Sequence, residues 1–239
     1  FFAASQTQNI TLTNEWQRFE FTTSITSGNV VQVGVDNITS VDMLIYGVQC
    51  EALSYATSYI VSNSGSATTR SADVANNSGN ADLFNDSEGV LYANTKTFEH
   101  PISLNNWMSI NDGSASNSIA ILFETTGTIV GRCDASGTNQ SFLLYNINYT
   151  DYKKVAFKYK ASDFALWVDG FEVSTVSSGN APTGLSEFDF NYGAGSNNWI
   201  GNTKELAVFK EALTDAELES LTSWISFVEM ATDLEYTLE

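Results

Sequence analysis

The chain is short of positive charge, cysteine, histidine and proline, and each shortage excludes something. Ten lysines and arginines stand against 28 aspartates and glutamates, a formal net charge of −18. A surface of that sign repels phosphate backbones, so nucleic acid is not an expected partner; it suits solubility in salty medium and can attract divalent cations. Cys50 and Cys133 are too few for a disulfide framework and lack metal-ligand spacing. Two free thiols are expected, with Cys50 in the apolar stretch Met43–Glu51 as a small buried hydrophobe. His100 is the one histidine, and it precedes Pro101. No C-x-x-C, H-E-x-x-H, G-x-x-x-x-G-K, G-x-G-x-x-G or G-x-S-x-G is present, so neither thiolate-metal, nucleotide nor serine-nucleophile chemistry is indicated. The apolar runs fall far short of the ~20 residues that a membrane-spanning helix needs, and no membrane insertion is expected. The chain starts at Phe1-Phe2 with no Met and no leader-like segment, so a fragment or processed product is expected.

What the chain has is 43% hydrophobic and 13% aromatic residues, and 16 glycines against 2 prolines. Apolar runs are short and are punctuated by Gly, Asn, Asp and Ser, which indicates an all-β protein of many short strands. The centre is Lys153–Val176. Val155, Phe157 and Tyr159 alternate with Lys154, Ala156, Lys158 and Lys160, the period of a half-buried strand whose lysines are a solvated face. Phe164–Val168 is apolar enough to be buried on both faces, and Trp167 is assigned to the core. Asp169-Gly170 then turns the chain into Phe171-Glu172-Val173.

Residues 1–60 make a first unit, with strands expected at Asn9–Leu12, Trp16–Thr23, Val30–Val35 and Met43–Glu51. A polar linker, 61–80, separates it from a sandwich at 81–223, and 224–239 is a tail. Further strands are expected at Glu88–Ala93, within His100–Ile110, and at Ser118–Phe123, Thr128–Arg132, Ser141–Leu144, Glu187–Tyr192, Trp199–Ile200 and Glu205–Phe209. Thr214-Asp215-Ala216-Glu217 is a capping box with Leu213 and Leu218 as a staple, so one short helix closes the unit and can run on through Ile225 and Val228.

Several of these segments resemble known families. The strand ending W-V-D-G and the phrase F-K-E-A-L-T-D-A-E-L resemble laminin-G-like, concanavalin A-type lectin sandwiches. The sequence N-x-W-Q-R-F-x-F, then V-x-V-G-V and G-V-Q-C-E, resembles the C-terminal half of a carbohydrate-binding jelly roll. The resemblance implies that its other half is expected before Phe1, or that another chain completes the sheet. The junction G-V-Q-C-E-x-x-S-Y-A-T-S-Y-I, followed by T-R-S-A-D, resembles bacteriophage tail-fibre and related virion proteins. Together the resemblance runs from about Asn14 to Leu221. It implies a partial jelly roll followed by a lectin-like sandwich, a virion surface or extracellular location, binding to glycans, contact with other virion subunits, and a homo-oligomer, a trimer by analogy.

Candidate sites follow from composition. Sugar binding needs aromatic rings for pyranose faces and amide or carboxylate groups for hydroxyls. The loop Asn191–Trp199 supplies Tyr192, Asn197, Asn198 and Trp199, and Trp107 and Asp112 are expected neighbours. Trp107 and Trp199 are weighed between ligand stacking and core packing, with core packing favoured. A calcium ion held by loop Asp and Asn oxygens is compatible with this fold, although no twelve-residue cation loop is present. The enzymatic alternative is Glu187-Phe188-Asp189-Phe190-Asn191-Tyr192, which resembles the E-x-D-x-x-E of laminarinase-like retaining glycosidases. Tyr192 stands where the third carboxylate belongs, which leaves no general acid, so a non-enzymatic protein is expected. A purely structural decoration protein is the third possibility.

Overall fold

A computed structural model describes residues 10–24, 44–53, 56–62, 66–69, 77–98, 102, 104–193, 195–224 and 229. The chain divides into two compact units, Phe1–Ala72 and Asp73–Glu239.

In the first unit the described residues form no strand. This corrects the expectation for Trp16–Thr23 and for the described parts of Asn9–Leu12 and Met43–Glu51; Val30–Val35 lies outside the described residues. Alternation makes a strand only where a ladder and a covering layer reward it. Here Trp16 is 71% exposed and Phe21 51% exposed. Among its described residues side-chain bonds join the segments 46–51 and 57–60 instead. The Glu51 carboxylate accepts the Thr57 N–H (3.1 Å) and hydroxyl (2.8 Å), Gln49 accepts the Ile60 N–H (2.6 Å), and Tyr46 meets Tyr59 with ring centroids 5.6 Å apart. Cys50 is exposed here, not the buried hydrophobe expected of it.

The second unit is a sandwich of two antiparallel sheets. In chain order its elements are β1 (Glu88–Thr97), β2 (Asn106–Asn111), β3 (Ser118–Glu124), β4 (Thr128–Ala135), β5 (Thr138–Asn146), β6 (Lys153–Lys160), β7 (Phe164–Val168), β8 (Phe171–Val176), β9 (Glu187–Asp189), β10 (Gly201–Phe209) and α1 (Asp215–Thr222). One sheet runs β10-β1-β6-β7-β8 and the other β5-β4-β3-β2-β9. The inward rows of both sheets, among them Leu91, Met108, Ile110, Ile121, Phe123, Val155, Phe157 and Leu166, make the main core. The two-residue turn between β7 and β8 forms as the dipeptide demands: Asp169 and Gly170 take φ of 50° and 88°. The Asp169 carboxylate accepts the Lys154 N–H (3.0 Å) and pairs with Lys153 (3.2 Å).

Helix α1 starts at the capping box: Thr214 accepts the Glu217 N–H (3.4 Å) and Glu217 accepts the Thr214 N–H (2.8 Å). Leu218 of the helix then packs with Val90, Tyr92, Ala156, Ala165 and Trp167 on the outer face of the first sheet. That cover changes the lysines of the outer row: Lys154 and Lys158 are buried rather than a solvated face, while Lys160 is exposed. Lys153 is buried too, but in the row of Val155 and Phe157, with Asp169 as its partner. Lys154 donates to the Ser223 carbonyl (3.2 Å), and Lys158 pairs with Asp163 (2.9 Å) and approaches Asp215 (3.8 Å). A buried ammonium needs such partners: the turn between β6 and β7 supplies Asp163, and the helix region supplies the Ser223 carbonyl and Asp215. Ile225 and Val228, the expected continuation of the helix, lie outside the described residues.

Candidate glycan-binding face

The outer face of the second sheet is assembled by strand parity. Met108, Ile119, Ile121, Ile129 and Cys133 point into the core. Their alternates Trp107, Ala120, Leu122 and Val130 form a separate apolar cluster on the other face, with Tyr192 packed on it. Arg132, next in that row on β4, stands at its centre. Its guanidinium forks onto Asp134, with Nε donating to Oδ2 at 2.6 Å and Nη2 to Oδ1 at 3.0 Å. It lies 5.4 Å from the Trp107 ring, 5.6 Å from Tyr192 and 5.9 Å from Phe142. Burial pulls its pKa down, but the hydrogen bond and charge of Asp134 outweigh that and hold it above the ordinary value. Asp134 is only 3% exposed, and Asn139 also donates to it at 3.3 Å. Phe142 and Leu144 of β5 continue the face toward solvent at 40% and 48% exposure. The result is a fixed cation fenced by aromatic rings, able to donate to an oxygen while the rings take an apolar surface.

The expected site residues separate on this geometry. Tyr192 and Trp107 come together, their ring centroids 4.1 Å apart, and Tyr192 helps bury Trp107. Asn197 and Asn198 are exposed in the adjoining loop, where the Asn197 backbone carbonyl accepts the Trp107 backbone N–H (3.2 Å). Trp199 turns the other way. It packs on the core with its ring 5.0 Å from Phe123, so it does not stand beside Tyr192 as a stacking surface. Asp112 holds its own loop: it accepts from the Ser114 N–H (3.0 Å), the Ser114 hydroxyl (2.7 Å) and the Asn117 amide (2.8 Å). Burial raises its pKa, but those hydrogen bonds outweigh it and keep the carboxyl below its ordinary value.

Arg132 and Phe142 were not among the expected residues. The signal was available in Thr128–Arg132, where alternation sets Val130 and Arg132 opposite Ile129. An arginine on the outward row of an apolar strand is a charge that needs a purpose.

A cleft of about 320 Å³ lies beside this face, lined by Asn77, Glu187, Asp189, Asn191 and three glycines. The Asp189 carboxylate is committed within it, accepting the Asn77 N–H (2.6 Å) and the Asn111 amide (2.9 Å). Burial first, then Asp189 and Asp112, raise the Glu187 carboxyl above its ordinary value. Strand β9 stops at Asp189, short of the expected Tyr192, because the chain folds over the sheet and closes with Tyr192 N–H on the Ser196 carbonyl (2.9 Å). Among the described residues no three His, Cys, Asp or Glu side chains converge to hold a metal ion. His100 lies outside the described residues.

The fold is that of lectin-like jelly-roll sandwiches. The CBM40 module of Ruminococcus gnavus IT-sialidase, bound to α2,6-sialyllactose, superposes with a TM-score of 0.51 at 14% identity, over 64% of this chain and 96% of that one. A native heptameric SAP-like pentraxin from Limulus polyphemus gives 0.50 at 14% identity, over 64% and 76%. No family model and no curated protein matches the chain.

Cys133 gives this sandwich an alkaline sensitivity. Burial, then the Asp134 charge, push its thiol up to about 12. An unfolded cysteine titrates near ~8.5, so above that pH the unfolded chain releases a proton that the folded chain keeps. Stability is therefore complete below ~8.5 and falls as pH rises toward the folded value, at up to ~1.4 kcal/mol per pH unit. The unfolding free energies from urea melts at pH 7.5 and 10 should differ by about 2 kcal/mol more in the parent than in Cys133→Val. A thiol reagent at pH 8 should label Cys50 alone until denaturant is added; equal labelling of both would contradict the burial.

Proposed function

We propose that this protein is a non-enzymatic virion surface component, a tail fibre or similar, which binds host or environmental glycans through the outer face centred on Arg132. The observation that carries the binding reading is Arg132 itself: a guanidinium fixed by Asp134 and ringed by Trp107, Tyr192 and Phe142 on a sheet face. Such a group donates to sugar hydroxyls or to a carboxylate, while Phe142 and Tyr192 offer rings for a pyranose face. The strongly acidic remainder of the surface favours neutral sugars, with an anionic unit or a bridging cation accommodated only near Arg132. The CBM40 module that shares this fold was solved with sialyllactose, which supports a glycan as the ligand class. The virion assignment rests on the tail-fibre-like junction before the sandwich, and it carries with it an extracellular location, neighbouring virion subunits and a homo-oligomer.

The test is a glycan array followed by calorimetry on each hit, with sialyllactose included. Phe142→Ala should weaken binding roughly tenfold, with a melting temperature nearly unchanged because the ring is 40% exposed. No binding to any glycan, together with stable incorporation into particles, would favour a purely structural decoration protein. The glycan-cleaving alternative has one observation in its favour, the raised Glu187 carboxyl in the cleft. Against it, both oxygens of Asp189 are already hydrogen-bonded. New reducing ends on a polysaccharide panel, lost in Glu187→Gln, would establish it.

A further inference from the structure

Four strands form the edges of the two sheets: β10 and β8 of one, β5 and β9 of the other. Open edges invite pairing with other chains, and proteins guard them with charge. Three of these are guarded. Strand β10 carries Lys204 and Glu205, β8 carries Glu172, and β9 carries Glu187 and Asp189. Strand β5, Thr-Asn-Gln-Ser-Phe-Leu-Leu-Tyr-Asn, carries no charge, proline or glycine in nine residues. Its outward-facing Phe142 and Leu144 are both exposed. Near its start, the Gln140 side chain accepts the Asn180 N–H at 2.9 Å and the Ser141 carbonyl accepts the Asn139 amide at 3.2 Å, so the open run is Phe142–Asn146. Among the described residues, no backbone–backbone hydrogen bond beyond the β4 ladder involves that run.

We infer that β5 pairs with β5 of a second copy of this chain, antiparallel about a two-fold axis at Leu143, joining the two outer sheets into one. The occupant follows from charge and pattern. Two chains of net charge −18 repel one another over most of their surfaces. The uncharged edge brings them together with no like charges opposed. The strand also supplies its own complement: an axis at Leu143 sets Phe142 opposite Leu144 of the other copy, twice, as cross-strand apolar pairs. A two-fold contact makes a dimer, distinct from the trimer suggested by fibre analogy.

The consequence for ligand binding rests on the glycan-binding reading. Arg132 on β4, opposite Phe142, and its counterpart are separated by three strand spacings across and two residues along the sheet, roughly 16 Å. Both platforms face the same way on one continuous sheet, so a repeating glycan can engage them together, with avidity on the order of a hundredfold over a single site.

Light scattering on the full chain at tens of micromolar tests the pairing without reference to any glycan. A dimer is expected, converted to monomer by Leu144→Lys and left intact by Leu206→Lys on the guarded edge of β10. In a Cys50→Ser background, Phe142→Cys with Leu144→Cys should give a covalent dimer on oxidation, which decides the matter even if the lysine variant fails to fold. A parent monomer, a dimer that survives Leu144→Lys, or the absence of the cross-link would overturn the inference. Glycan binding by a monomeric parent would overturn the pairing alone and leave the binding reading standing.

Discussion

Gly131→Ala is expected to destabilise the sandwich by about 1–3 kcal/mol. Gly131 lies on the inward row of β4 against Phe157, which is fully buried. A Cβ built on Gly131 would sit 2.5 Å from Cδ2 of that ring and 2.9 Å from Cγ. No contact so short is tolerated, so the ring or the strand must shift in a core packed on every side. The backbone conformation is not the obstacle: Gly131 has no positive φ. The cost is therefore steric and should be partly relieved by shrinking the partner. Phe157→Leu alone should destabilise, and the double variant should lose about 1 kcal/mol less than the sum of the singles. Strict additivity in denaturant melts would mean that the two residues do not touch.

Arg132→Met should cost both stability and binding, and the two losses can be separated. The Asp134 carboxylate is almost wholly buried and receives its fork from Arg132. Removing the cation leaves that charge with little beyond the Asn139 amide, and an orphaned buried charge costs about 3–5 kcal/mol. Replacing both partners at once, Arg132→Met with Asp134→Asn, removes the charge as well as the cation and should restore most of the stability. It should not restore binding, because a charge-assisted hydrogen bond to the sugar, worth ~1.5–3 kcal/mol, is gone in both variants. The expected pattern is a tenfold to hundredfold loss of glycan affinity in single and double variants alike, with a low melting temperature in the single only. Affinity that recovers together with stability would make Arg132 a purely structural residue.

Much of the second unit was legible from alternation and turn chemistry. Val155, Phe157 and Tyr159 face the core as their spacing requires, Asp169-Gly170 turns, and the capping box starts α1 at Asp215. What escaped were consequences of packing between elements. Nothing within the lysine-rich strand β6 says that the helix region will bury Lys154 and Lys158. Likewise, the exposure of Phe19 and Phe21 in the first unit depends on what covers them, which alternation cannot specify. At the candidate site, composition pointed to the loop around Tyr192. It could not separate Trp107, which faces outward beneath Tyr192, from Trp199, which turns onto Phe123. Arg132 sits on the outward row of β4, but its role emerges only when β5 brings Phe142 and the loop brings Tyr192 beside it.

The central claim is that glycan contacts this face at Arg132, and the side-chain Nε–Hε region of a nitrogen–proton NMR spectrum tests it most directly. The chain has three arginines, Arg18, Arg70 and Arg132, so few signals need assignment. The Arg132 signal, fixed by Arg132→Lys, should be sharp in the free protein because its Nε–H is held on Asp134 at 2.6 Å. Titration with an array-selected glycan should shift that signal in proportion to occupancy while those of Arg18 and Arg70 stay in place. A glycan that binds with measurable affinity yet leaves the Arg132 signal unmoved would contradict the account.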